Sequence, residues 1–212
     1  MAPAPRLRAV RVQAVPARLV VLASGSGTLL QALLDAQSDS YPAEVVAVVA
    51  DRADSHALVR AGRHGVAADV VPFGGFPDRD TWDTALGDMV AAHQPDLVVL
   101  TGFMKILSPD FLHRFPGRVI NTHPGLLPDF PGAHAVRDAL AAGATVTGAS
   151  VIWVDEGIDT GQLIIQAEVP VLAGDDEPRL HERIKAVERD MLVRVVASIL
   201  TGQHVMAQGE GA

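Results

Sequence analysis

The sequence contains no cysteine among its 212 residues. That excludes disulfides, thiolate metal sites and thiol catalysis together, and it fits a reducing, cytoplasmic compartment. Nor is there an excess of basic residues: 17 Lys and Arg stand against 25 Asp and Glu, a net charge of −8. Without a basic cluster, nucleic acid is not an expected partner. Small anions stay open as ligands, because backbone amides at helix N-termini can hold them. Nowhere do about 18 apolar residues run on without polar breaks, so no membrane span is expected. Residues 1–16 lack the continuous apolar stretch of a signal peptide. Pro3, Pro5 and Pro16 are interspersed with Arg6, Arg8 and Arg11, and the segment reads as a mobile basic arm, with a mitochondrial presequence as the competing reading. His56, His64, His93, His113, His181 and His204 show no metal-ligand spacing, so no metal is expected.

With 49% hydrophobic residues, the chain has ample material for a core, and residues 17–212 are read as one domain. Ala17 to Ala23 (ARLVVLA) is a short apolar run, as in a strand buried on both faces. It leads into Ser24-Gly25-Ser26-Gly27-Thr28 and then into leucines 29, 30, 33 and 34 at helical spacing. This is strand, glycine-rich turn, helix. Such a turn brings backbone N–H groups to an anion at the positive end of a helix, and Ser24, Ser26 and Thr28 offer hydroxyls as donors or caps. Gly25-x-Gly27-x-x-Leu30 lacks the third glycine of the dinucleotide fingerprint, and no Gly-Lys-Ser/Thr follows. A small phosphate-bearing ligand suits the loop better than NAD or ATP. The alternative is a tight turn that binds nothing.

Further strands are expected at Glu44–Ala50, Val66–Pro72 and Asp96–Leu100, with helices between them. Gly65 is placed as a helix stop and Asp78 as a helix cap. Arg79 falls in the first turn of that helix, where a cation is disfavoured. It is either solvated or committed to an anionic ligand or a carboxylate. Gly102-Phe103-Met104-Lys105-Ile106-Leu107 follows the fourth strand as a candidate pocket wall. Ser108 and Pro109 read as N-cap and N1 of a short helix. Strand–helix alternation with short connections argues a doubly wound, mostly parallel α/β sheet, with ligands beyond the carboxyl ends of the strands.

The stretch that carries the most chemistry is Asn121-Thr122-His123-Pro124-Gly125-Leu126-Leu127-Pro128. It follows Arg118-Val119-Ile120, read with Asn121 as a buried strand. Residues two apart in an extended chain point the same way, and a residue before proline is kept out of the helical region. Asn121 and His123 should therefore face one space. An amide donor beside a titratable ring can hold a developing oxyanion and move a proton. The alternative is a satisfied loop histidine. A cis peptide bond is expected at Leu127–Pro128. After a helix over Ala135–Ala142, strands at Val146–Val154 and Gln162–Val171 flank Asp155 to Gly161, a connection carrying three acids. Asp155 and Glu156 read as solvated. Asp159, between Ile158 and Thr160-Gly161, reads as fixed, and a carboxylate beside His123 would favour its protonated form. A long last helix, capped by Asp175 or Asp176, presents Leu180, Ile184, Val187, Met191 and Val195 to the core. Glu188 by itself reads as a surface charge.

Together, the Ser24–Gly27, Gly102–Leu107, Asn121–Pro128 and Asp159–Gly161 segments resemble the phosphoribosylglycinamide formyltransferases, folate-dependent enzymes of purine synthesis. The resemblance spans about residues 17 to 205. It implies a Rossmann-like formyltransferase fold with antiparallel strands toward the C-terminus. It also implies transfer of the formyl group from 10-formyltetrahydrofolate, a co-substrate, to the amine of a glycinamide ribotide. Asn121, His123 and Asp159 would be catalytic. Gly27, Thr28 and Leu29 would bind the ribotide phosphate through backbone amides, and Glu188 would reach the ribose hydroxyls. Arg79, Met104, Lys105, Ile106, Leu107 and Asn121 would border the folate. The implied partners are small molecules, and a homodimer is compatible with the family. Position 29 is leucine where the family often has asparagine, and Lys105 stands where arginine is common, keeping the charge but not the planar fork. Two relatives in the same superfamily, one acting on methionyl-tRNA and one hydrolysing formyl-folate, normally carry an additional domain. A regulator that binds a nucleotide through the glycine loop alone is the non-enzymatic alternative.

Overall fold

A computed structural model describes residues 15–202. The expected N-terminal arm, but for its last two residues, and His204 lie outside the described residues. Seven strands form one sheet in the order β3-β2-β1-β4-β5-β6-β7. The strands are β1 (Ala17–Leu22), β2 (Ala43–Ala50), β3 (Ala67–Val70), β4 (Leu97–Leu100), β5 (Val119–His123), β6 (Val146–Trp153) and β7 (Leu163–Pro170). The first five are parallel; β6 pairs antiparallel with both β5 and β7. The helices are α1 (Thr28–Ala36), α2 (His56–Arg63), α3 (Arg79–Ala92), α4 (Pro109–Arg114), α5 (Ala135–Ala141) and α6 (Glu177–Thr201).

Alternation along β1 splits the core into two layers. Leu19, Val21 and Ala23 pack with α1, α2, α5 and α6 on one face. Val20 and Leu22 pack with Trp82, Leu86 and Val90 of α3 and Phe111 of α4 on the other. Because β1 neighbours both β2 and β4, the chain reverses direction across the sheet there. That reversal opens a crevice at the carboxyl end of the strands.

Several boundaries differ from expectation for local reasons. β5 runs on to His123, because Thr122 and His123 pair with Val151 and Ser150 of β6. β3 is shorter than 66–72; Val71 still donates to Ala50, but Pro72 has no N–H to continue, and a 3-10 turn, Phe73–Gly75, follows. Asp176 caps α6 by accepting from the Arg179 amide. Asp175 instead takes both Arg183 nitrogens at 2.7 and 2.9 Å. Asp78 and Ser108 cap α3 and α4 as expected. The Leu127–Pro128 bond is cis.

Candidate active site

The carboxyl ends of β1, β4 and β5 meet the β6–β7 connection and one face of α6 around a cavity of about 550 Å³. Four expected groups line it: residues 25–29, residues 104–107, Asn121 with His123, and Asp159. Glu188 of α6 is there too.

The glycine loop forms as expected, with one correction. The N-cap of α1 is Gly27 at φ 68°, and no side chain caps the helix. The Ser24 hydroxyl is used elsewhere: it accepts from the Met104 amide at 2.9 Å and ties the two loops together. Gly27 is required twice over. Its φ favours glycine, and a Cβ there would lie 2.8 Å from Ala57 Cα. The N-terminus of α1 therefore borders the cavity without a side-chain cap of its own.

Asn121 and His123, two apart on β5, converge on Asp159. Asn121 Nδ2 donates to Asp159 Oδ1 at 3.3 Å. His123 Nδ1 lies 3.2 Å from Asp159 Oδ2. That oxygen also accepts from the Gly132 amide at 2.8 Å. On the other side of the ring, His123 Nε2 meets the Phe130 carbonyl at 2.9 Å. A carbonyl can only accept, and an ionised carboxylate can only accept. Each ring nitrogen of His123 therefore has an acceptor within reach. His123 is 3% exposed, so the ring sits out of bulk water and beside the Asp159 carboxylate. Burial alone would raise the Asp159 carboxyl; hydrogen bonds from His123, the Gly132 amide and Asn121 outweigh it and hold the group below the usual carboxylate range. Asp159 keeps a left-handed backbone, φ 54°, which Asp tolerates better than most residues. The neighbouring Asp155 is more than a solvated acid: its Oδ1 accepts from the Gly157 amide at 3.1 Å and the Thr160 hydroxyl at 2.8 Å, which folds the connection.

The sequence profile described as formyl transferase matches residues 17–196. The chain belongs to the formyl transferase family. A phosphoribosylglycinamide formyltransferase of Mycobacterium tuberculosis (strain CDC 1551 / Oshkosh) is 57% identical over 186 residues, covering 88% of this chain and 86% of that protein. One of Escherichia coli (strain K12) is 39% identical over 189 residues, 89% of each chain. A crystal structure of glycinamide ribonucleotide transformylase 1 from Symbiobacterium toebii superimposes with a TM-score of 0.86 at 41% identity, covering 91% of this chain and 92% of that one.

In this formyl transferase the remaining expected residues divide. Met104 and Ile106 present apolar side chains at the cavity, 61% and 55% exposed, while Leu107 is buried beneath them. Lys105 lines the cavity, but its ammonium is engaged: Nζ is 3.1 Å from Asp51 Oδ2 and 4.9 Å from the centre of the Phe73 ring. Arg79 does not line the cavity. Its Nε donates to Asp83 at 2.8 Å, its Nη2 donates to the Ile106 carbonyl, and its guanidinium lies 4.9 Å from the Trp82 ring. It braces the 104–107 wall from behind, the carboxylate commitment being the outcome among those weighed from sequence.

Glu188 is not a surface charge. It is 3% exposed, on the buried line of α6 next to half-buried Val187. Burial pushes its carboxyl up to about 7, partly offset by the charges of His123 and Lys185. His181 and Lys185 line the same cavity, and burial, with the Lys185 ammonium, lowers the His181 imidazole. Neither was singled out from sequence. The signal available was their spacing: 181, 185 and 188 are four and three apart, one stripe on a helix. Among the described residues no group of three or more His, Cys, Asp or Glu could hold a metal ion. No helix of the described residues is long and apolar enough to cross a membrane.

Proposed function

We propose that this cavity binds both substrates of a phosphoribosylglycinamide formyltransferase and that Asn121, His123 and Asp159 carry the transfer. The protein moves the formyl group from 10-formyltetrahydrofolate to the amine of 5'-phosphoribosylglycinamide, giving formylglycinamide ribotide and tetrahydrofolate. One observation carries the residue assignment: a buried imidazole held between an ionised carboxylate and a backbone carbonyl, beside an amide, at the meeting point of a phosphate-type loop and an apolar wall.

The ribotide phosphate lies against the Gly27, Thr28 and Leu29 amides, where the helix N-terminus favours an anion, and Lys185 adds charge at that end. Glu188 accepts from the ribose hydroxyls. The apolar Met104, Ile106 and Leu107 flank the folate ring system, with Lys105 and, through its brace, Arg79 behind them. The amine attacks the formyl carbon and the formyl oxygen gains negative charge. The Asn121 amide donates to it. The His123 Nε2–H turns from the neutral Phe130 carbonyl to the oxyanion, which is the stronger acceptor. Asp159 keeps the ring charged throughout. The proton lost by the attacking amine goes to the departing folate nitrogen as the carbon–nitrogen bond to folate breaks, with Asp159 and His123 alongside the path. The domain is taken as residue 17 onward, in the cytoplasm, and a homodimer is compatible with the family.

The test is formyl transfer from 10-formyltetrahydrofolate to glycinamide ribotide, followed by folate absorbance and by detection of the formylated ribotide. Release of the formyl group only as formate would place the chain with hydrolases instead.

Glu188 gives a pH signature. Its raised carboxyl stays protonated in the free protein up to about pH 7. The stabilisation this brings is fully present below the unfolded carboxyl's range and is lost as pH rises through about 7. Ribose hydroxyls donate better to the anion, so the ribotide KM falls as pH rises through that same value. In Glu188→Gln this step is absent, leaving only the ligand's own titration. A steady-state pH series on both proteins checks it, and identical profiles refute the ribose contact.

A further inference from the structure

The glycine loop is gripped from behind as well as presented to the cavity. Ser55 donates through its hydroxyl to the Gly25 carbonyl at 3.1 Å, and the Ala57 amide donates to the same oxygen at 3.2 Å. One turn on, Arg60 donates through Nε to the Ser26 carbonyl at 2.9 Å and through Nη1 to Gln31 Oε1 at 2.9 Å. Gln31, on α1, donates in turn to Asp35 at 2.7 Å. Ser55, Ala57 and Arg60 hold the loop but do not line the cavity that it borders.

In a trans peptide the carbonyl and the following N–H point in opposite directions. Drawing the Gly25 oxygen toward α2 turns the Ser26 N–H away from α2. Drawing the Ser26 oxygen toward Arg60 does the same to the Gly27 N–H. The cavity borders the loop and not these α2 residues. No side chain caps α1, and Leu29 brings no polar group, so the direction of these amides is set from outside the loop. We propose that Arg60 is a positioning residue for the ribotide phosphate, acting through the Ser26–Gly27 peptide. This rests on the phosphate reading of the loop. A guanidinium suits the task because its planar fork spans two acceptors, one on the loop and one on α1; lysine keeps the charge but holds one at a time.

The experiment measures kcat, the ribotide KM and the folate KM for wild type, Arg60→Lys, Arg60→Met and Gln31→Leu, with the dephosphorylated ribotide as a second substrate. Arg60→Met raises the ribotide KM roughly tenfold or more, the scale of a hydrogen bond from a charged donor. Arg60→Lys does not restore it, and Gln31→Leu shifts it the same way by less. The folate KM and the KM for the dephosphorylated substrate stay within about twofold in every variant, as for loss of one uniform binding contact. Equal effects on both ribosyl substrates, full rescue by lysine, or a wild-type KM in Arg60→Met each overturn the positioning role. Should wild type fail to distinguish the two ribosyl substrates, the phosphate reading falls with it. Gln31→Leu keeps the question answerable if Arg60→Met does not fold.

Discussion

Alanine at position 123 lowers kcat for formyl transfer by at least ~10²–10³ while the protein stays folded. His123 lines the cavity with an acceptor beside each ring nitrogen, and it is 3% exposed. In that setting a charge acts with little solvent screening. The substitution removes a donor made for the transition state and leaves ground-state contacts to phosphate, ribose and folate in place. The loss therefore appears in kcat and in kcat/KM together, with both KM values near wild type. Asp159 keeps the Asn121 and Gly132 donors at 3.3 and 2.8 Å, so the connection it anchors has reason to hold. Initial rates with a thermal melt alongside decide the matter. Turnover close to wild type in a folded His123→Ala protein ends the assignment.

Asp159→Asn separates charge from shape. Asparagine adopts the left-handed backbone that Asp159 uses at φ 54° as readily as aspartate does. Its amide is the same size and can still accept from Gly132. What disappears is the counter-ion. The His123 ring then loses the partner that favours its charged form, and the amide competes for the ring nitrogen in either orientation. By comparison with a carboxylate that orients a catalytic histidine elsewhere, kcat falls ~10²–10⁴. The double variant with His123→Ala is hardly slower than the worse of the two single ones, since the pair acts as a unit. Additive losses in that cycle would separate Asp159 from His123 and give it another task.

The fold was readable wherever one residue type could serve only one purpose. Continuous apolar runs at 17–23 and 44–50 announced buried parallel strands, and Asp78 and Ser108 announced caps. Asn121 and His123 were readable as a pair because the period of a strand is two. Other parts left no trace in side-chain identity. The Phe130 carbonyl and the Gly132 amide complete the environment of His123 and Asp159, but every residue carries such groups. Which carboxylate caps α6 depended on where Arg183 reaches. The Lys105–Asp51 pair joins the ends of β4 and β2, a contact fixed by sheet order and not by separation along the chain. Glu188 looked like solvent-facing charge because the groups it meets, Thr122 and His123 of β5, are far away in sequence.

The strand order has a practical consequence for anyone altering this protein. All the chemistry gathers at one rim of the sheet. At the opposite rim, Arg18 in β1 binds the His93 and Gln94 carbonyls and, through its backbone amide, Asp96. These fastenings touch no residue of the cavity. Thermal robustness and turnover can thus be engineered as separate variables: one rim can be reinforced for heat tolerance while the other is left free to evolve a new acceptor.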